Sequence, residues 1–309
     1  MRATYPKSGF TLIEMSIVLV IIGLIVGGVL VGQSLISAAA MRAQISQIEK
    51  YNQAANTFFG KYGYLPGDIP SGPAAQFGFA ARGTIADHLG EGDGDGLLEG
   101  NWSGVSTASP ANGLAQGTGE TALFWADLSA ANLIEGTFNT ASCCTPPGSN
   151  VPATALPSYF PSAKIGQGAS VYVYSNNGFN YFGVLAMTGI VASNAGLLSG
   201  GIGGPAGFTT QQAYAIDSKI DDGLPQSGSV TDQFVNGNAS GVCWAGPNSA
   251  YLCSPPFTAA TPGYVAGVSY NTCFNNGNVN GAAQVYSIAI DNGADNACAL
   301  SFRMQAGDR

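Results

Sequence analysis

The sequence predicts an α+β chain in which one long amino-terminal helix packs on an antiparallel β-sheet, with additional helices and long, disulfide-prone loops. Three observations carry this. Residues 15–31 form an unbroken apolar run, and apolar residues then recur at steps of three and four, the period of a helix. Later segments rich in Val, Tyr and Phe are short and bounded by turn residues, as strands are. Six cysteines stand in a chain with 44 glycines whose carboxy-terminal third reads mostly as loop.

The helix comes first. Residues 15–31 are long enough to cross a hydrocarbon core of about 30 Å. Beyond them Met41, Ile45, Ile48, Tyr51, Ala55, Phe58 and Tyr62 make one apolar stripe, while Arg42, Gln44, Gln47, Glu49 and Lys50 occupy other faces. Gly60 or Gly63 is the first break, and Pro66 the first proline beyond the amino-terminal few residues. A continuous helix over 10–62 is therefore expected, roughly 80 Å long. Its membrane half covers about 10–36, and its amphipathic half packs on a globular domain of residues 63–309. Gly23, Gly27, Gly28 and Gly32 weaken the membrane half by up to about 1 kcal/mol each but let helices approach closely. The Gly27-Gly28 pair offers flexibility there.

The start of this helix is unusual. A secretory signal has its small-residue cleavage site after the apolar region. Here the small residue, Gly9, precedes it, and the only charge near the start of the run is Glu14. Cutting between Gly9 and Phe10 removes a short basic leader, residues 1–9, and leaves the apolar helix on the mature chain. The segment Lys7-Ser8-Gly9-Phe10-Thr11-Leu12-Ile13-Glu14 resembles the type IV pilin and pseudopilin superfamily. The resemblance implies a pilin-like fold, cleavage after Gly9 by a prepilin peptidase, and N-methylation of Phe10. It covers about the first fifth of the chain. Many members of that superfamily carry a proline partway along the membrane segment, and this chain has none.

The remaining elements follow in order. Residues 64–70 are dense in turn formers. Residues 119–135 read as a helix with Leu123, Phe124, Leu128, Ala131 and Ile134 inward and Gly136 as its stop. A Cys- and Pro-rich loop runs to about Pro161. Residues 171–174 and 179–187 make a hairpin across 175–178. Thr209 to Gln212 has capping-box spacing and opens a helix through Ile216 and Ile220 to Asp222-Gly223. Short strands are expected near 263–270, 284–290 and 297–304. No repeat or linker divides the domain.

Charge sets partners and orientation. The formal net charge is -8 with only 9% charged residues, and losing Arg2 and Lys7 with the leader makes it -10. Such a chain repels phosphates, so no nucleic-acid partner is expected. Arg2 and Lys7 precede the helix and Arg42 follows it, which puts the amino terminus in the cytoplasm and the domain across the inner membrane. That side is oxidising, and Cys143, Cys144, Cys243, Cys253, Cys273 and Cys298 are disulfide candidates. Cys273 with Cys298 would tie the last strands together, and Cys243 with Cys253 would close a short loop. Cys143 and Cys144 are expected to bond to separate partners rather than to each other, because a bridge between adjacent residues is strained. No CxxC appears, and His88 is the only histidine.

Two acidic groups remain. Glu91, Asp93 and Asp95 alternate with glycines, as the first, third and fifth positions of an EF-hand loop do. Trp102 stands where the bidentate glutamate belongs, so this is not a complete EF-hand. Calcium held by Glu91, Asp93, Asp95 and Glu99 is weighed against a solvated acidic turn, with Asp87 and His88 as accessory ligands. Several pseudopilins hold calcium in their globular loops. Asp217 and Asp221 share a helix face and repel slightly; an acidic helix end stopped by Asp222-Gly223 is the simpler reading, and a second calcium site is the other. No cofactor is required, and no catalytic set emerges: there is no GxSxG, no cysteine–histidine dyad and no phosphate loop.

The expected function is therefore structural rather than enzymatic. The resemblance implies a pilin or pseudopilin subunit, main or minor, that polymerises with other subunits into a type IV pilus or type II secretion pseudopilus. The alternative is a pilin-anchored adhesin or substrate-binding module at a filament tip. A carboxylate within lipid costs about 2.5–3.5 kcal/mol at mid-membrane and less near the interface. Pairing Glu14 with the Phe10 ammonium of a neighbouring subunit removes that cost, which makes Glu14 the assembly register.

Overall fold

A computed structural model describes residues 10–83, 90–100, 117–145, 147–192, 197–199, 207–235, 242–244, 273–275, 283–289 and 298–307. The expected strand at 263–270 lies outside these.

Helix α1 spans Leu12–Tyr62 without interruption, including Gly27 and Gly28. Thr11 caps it, and Gly63 ends it in the left-handed region, φ 79°, with its N–H donated to the Phe59 carbonyl. Buried residues occur only in the second half: Gln44, Gln47, Ile48, Ala54, Ala55 and Phe58. Gln44 and Gln47 were expected on outer faces. Both are buried because their side chains serve the segment they pack on. Gln44 Oε1 accepts the Ile165 N–H at 3.0 Å, Gln47 Oε1 accepts the Lys164 N–H at 3.0 Å, and Gln47 Nε2 donates to the Ser162 carbonyl at 2.9 Å. These bonds satisfy backbone groups that α1 would otherwise bury unpaired.

Helix α2 (Ser71–Phe77) follows the turn-rich segment, and α3 (Glu120–Ala130) lies where a helix to residue 135 was expected. It stops early because Asn132 adopts φ 55°. The Leu133 N–H then reaches the Leu128 carbonyl and the Asn132 N–H the Ser129 carbonyl, the paired bonds of a Schellman ending. Asn132, rather than Gly136, supplies the left-handed residue. Strand β1 (Val151–Pro152) and a 3-10 turn at Ala153–Ser158 occupy the Cys- and Pro-rich stretch.

Strands β2 (Ala169–Asn176) and β3 (Phe179–Ile190) form the expected hairpin. Its turn is Asn177-Gly178, with φ 49° and 79°, the two positive values of a type I′ turn. The strands therefore reach further into the turn than expected. The chain continues through β4 (Leu197–Ser199), α4 (Thr210–Ile220, with the predicted Thr209–Gln212 capping box), β5 (Val230–Val235) and β6 (Val242–Trp244). Short strands β7 (Phe274–Asn275), β8 (Val285–Tyr286) and β9 (Leu300–Arg303) complete the described elements. The last two fall inside the segments expected near 284–290 and 297–304, but are shorter.

The main sheet is antiparallel and runs β2–β3–β9–β5–β6, with β1 and β4 pairing the far end of β3. Phe182 on β3 faces α1 and α3: its ring lies 6.2 Å from Tyr51, 5.9 Å from Phe124 and 6.4 Å from Trp125. Tyr51 meets Trp125 edge to face at 4.9 Å, a contact that adds to simple burial. On the opposite face Tyr172, Tyr174 and Tyr181 stack. Gly183 is obligatory here, since a Cβ would sit 2.2 Å from Tyr172 Cζ. The architecture is thus α+β, a long helix and α3 laid on an antiparallel sheet.

Candidate functional site

The amino-terminal junction is built around Thr11 and Glu14. Gly9 lies outside the described residues; Phe10, just before the helix, is 80% exposed. Thr11 and Glu14 form a reciprocal capping box. The Thr11 N–H and hydroxyl both donate to Glu14 Oε2 at 2.8 Å, and the Glu14 N–H donates back to Thr11 Oγ at 3.3 Å. The carboxylate is thus held at the positive end of the helix, where the macrodipole favours it. From Leu12 to Ile36 the apolar side chains are exposed all round. Among the described residues α1 is the one helix long and apolar enough to cross a membrane by length and composition.

The acidic loop is organised differently from the expected ligand ring. Gly90, Gly92, Gly94 and Gly96 all have φ between 76° and 90°, so the alternating glycines are required by the backbone. This alternation turns the loop's N–H groups toward two carboxylates from elsewhere. Asp68 accepts Gly94 N–H at 2.7 Å and Gly96 N–H at 2.9 Å, one on each oxygen. Glu120, the first residue of α3, accepts Gly92 N–H at 2.8 Å and Glu99 N–H at 2.9 Å. Asp93 and Asp95 each spend one oxygen on the N–H two residues ahead.

Burial, reinforced by Asp95 and Asp93, pushes the Asp68 carboxyl up to about 8 against the pull of its two N–H donors. Burial and the Asp68 charge raise Glu120 well above the usual carboxylate range. Asp68, Asp93 and Asp95 bring one ligand atom each within 4.8 Å of one another. Of the residues expected from sequence, Asp93 and Asp95 fall in this group. Glu91 and Glu99 fall outside this group and are buried, whereas Asp68, some two dozen residues upstream, falls inside it. Asp87, His88 and Trp102 lie outside the described residues. No spacing rule reveals Asp68, because its connection to the loop exists only after folding.

A second buried group fixes this region. Asp127 on α3 pairs with Arg82 at 2.5 Å and accepts the Gly67 N–H at 2.7 Å, both partners being buried. At the end of α4, Asp217 accepts the Tyr286 hydroxyl at 2.8 Å and the Gly223 N–H at 3.1 Å. Burial raises its carboxyl to about 7. Asp221 takes the N–H groups of Ser229 and Val230, and Asp222 those of Leu224 and the Ser227 hydroxyl. These carboxylates close turns, and Asp217, Asp221 and Asp222 also bring one ligand atom each within 4.8 Å of one another.

Cys273 bonds to Cys298 as expected, joining β7 to the approach of β9 with Cα atoms 5.0 Å apart. Cys143 bonds to its neighbour Cys144, which corrects the expectation of separate partners. Cys143 is buried against Leu123 and Ala126 of α3, and its carbonyl accepts the Gly119 N–H at 2.9 Å. Held there, its thiol has the adjacent cysteine within reach. Cys253 and the Cys243 side chain lie outside the described residues.

Residues 6–30 match the prokaryotic N-terminal methylation motif. No curated protein and no solved structure matches the chain. With the long apolar helix, the motif fits a type IV pilin or pseudopilin: a membrane-anchored precursor, structural in kind, of the sort that prepilin peptidase processes and that polymerises.

Proposed function

We propose that this pilin-like precursor becomes a structural subunit of a type IV pilus or a type II secretion pseudopilus. It is held in the inner membrane with its amino terminus in the cytoplasm, trimmed between Gly9 and Phe10, methylated on Phe10, and then drawn into the filament. The observation that carries this is the pairing of the methylation motif with a helix whose first half is apolar on every face. Such a helix suits lipid first and a bundle of like helices afterwards. Arg2 and Lys7 on one side and Arg42 on the other favour the orientation. Intact mass and amino-terminal sequencing of the membrane-extracted chain test the reading: it expects a start at methylated Phe10, and a mature chain that still begins at Met1 contradicts it.

Calcium at the acidic loop is a second, separable part of the proposal. Its support is the convergence of Asp68, Asp93 and Asp95 and their chemistry, hard oxygen donors of the kind calcium takes. The loop oxygens of Asp93 and Asp95 not used in turns, with Asp68, would hold the ion, and its charge would offset the burial and the carboxylate repulsion that raise Asp68. Added calcium should raise the melting temperature of the full chain in detergent above pH 7, and Asp68→Asn should abolish the rise. An equal rise in both proteins removes the site.

A further inference from the structure

Opposite edges of the domain carry complementary patches. At the β2 edge, residues 161–163 run alongside the sheet: the Ala163 N–H donates to the Ala169 carbonyl at 2.8 Å and the Val171 N–H to the Pro161 carbonyl at 2.9 Å. Between this segment, α1 and the end of α3 lies an open groove of about 850 Å³. Its apolar wall includes Leu133, Ile134 and Phe138, and its charged residues are Lys50, Lys164 and Glu135. All three charged residues are exposed.

The other edge is different in shape and opposite in sign. Helix α4 packs on β5, which lies next to the far edge strand β6 and is separated from β2 by β3 and β9. Its end projects Tyr214 (41% exposed), Ile220 (41%) and Leu224 (37%). Lys219 and Asp222 beside them are exposed, and Asp221 is half-buried. The groove thus offers two cations and one anion around an apolar wall, and the α4 end two anions and one cation around an apolar ridge. None of these six charged groups makes an ion pair with another described residue.

We infer that the α4 end of one copy docks in the groove of the next. Asp221 and Asp222 then face Lys50 and Lys164, Lys219 faces Glu135, and Ile220 and Leu224 cover the apolar wall. Because the two patches lie on opposite edges of one subunit, the contact is heterologous: each added copy leaves a groove free at one end and an α4 ridge at the other. A contact of that kind extends into an open helical array instead of closing into a dimer. The inference rests on the polymer reading above and adds which surfaces meet. Charges at the rim fix register and discourage wrong partners more than they add affinity.

The test uses the full chain in cells that assemble it. Two differently tagged copies, one carrying Lys164→Cys and the other Asp222→Cys, are co-expressed, and sheared filaments are mildly oxidised. The expected product is a dimer bearing both tags, and a ladder when one chain carries both cysteines. Lys164→Glu should lower filament yield about fivefold, and adding Asp222→Lys to that chain should restore it. Filaments that form normally with no cross-link and no response to Lys164→Glu overturn the interface while leaving the polymer reading intact. Cross-links solely to a different filament protein also overturn it, since the occupant is then not a second copy. A wild-type chain that never sediments as filament overturns both.

Discussion

The two halves of α1 share one unbroken backbone and face opposite surroundings. Around Leu12 to Ile36 no side chain is buried, whereas Gln44, Ile48, Ala55 and Phe58 sit in the domain core. Hydrogen bonding within the helix is alike in both. What differs is the surroundings: the first half turns its apolar side chains outward on every face, and the second buries its stripe against the sheet and α3. A helix can therefore be uniform in secondary structure and divided in energetics. In the first half even the glycines meet nothing, with no atom within 4 Å of a Cβ built on Gly23, Gly27, Gly28 or Gly32.

The largest effect should come from breaking the docked half. Phe58 is fully buried and touches Tyr62 at 4.6 Å and Phe79 at 5.3 Å between ring centroids. Phe58→Ala should cost the domain about 3–5 kcal/mol, read as a fall in melting temperature of the full chain in detergent. Ile21→Ala, in the exposed half, should leave that temperature unchanged; equal falls would end the distinction between the halves. A chain beginning at Gly63, lacking the whole stripe, should fail to fold.

Next comes the function of the free half. Glu14→Ala should leave membrane insertion intact yet reduce incorporation into filaments by roughly tenfold. A mid-membrane carboxylate penalty of about 2.5–3.5 kcal/mol would give more, but Glu14 lies in the first turn of the helix. Immunoblots of sheared filament against membrane fractions measure it, and unchanged incorporation sinks Glu14 as a register device.

The smallest effect concerns the domain alone and sharpens what its burial costs. Folded Asp217 keeps its proton to about pH 7, while an aspartate in the unfolded chain releases it near pH 4 (about 3.9). Between these values the folded state binds more protons, so stability falls as pH rises through that window. Asp217→Asn should lessen the melting-temperature slope between about pH 4 and 7, leaving the part that the raised Asp68 carboxyl contributes. A slope unchanged by the substitution assigns the dependence to other groups.

Much of the fold can be read from sequence because it rests on local periodicity. The α1 stripe, the Asn177-Gly178 turn and the Thr209–Gln212 box are all short-range signals, and each appears where its chemistry demands. What escaped reading depends on distant partners. Gln44 and Gln47 look like surface residues until residues 162–165 present backbone groups to them. Strand β5 hides because Asp232, fully buried within it, accepts the Ala299 N–H; a carboxylate in that place argues against a core strand. The end of α3 is not legible in the sequence because Asn132, not glycine, takes the left-handed turn. At the acidic loop the glycine–aspartate alternation is legible, but the carboxylates its N–H groups hold, Asp68 and Glu120, come from elsewhere in the chain.

The Thr11–Glu14 box has a consequence for timing. Both of its residues lie downstream of the Gly9–Phe10 junction, so trimming the leader leaves the box whole. A solitary subunit waiting in lipid carries a carboxylate already satisfied by its own chain, and so has little pull on passing molecules. If Glu14 pairs with the Phe10 ammonium of a neighbour, joining a filament becomes an exchange, in which that ammonium displaces the Thr11 donors. On that reading a subunit seated one step out of place would provide no such ammonium and would let the box re-form. Quiescence before assembly and rejection of misplaced arrivals would both follow from one hydroxyl three residues from one acid, and Thr11→Val, which removes the hydroxyl while keeping the shape, is predicted to weaken both.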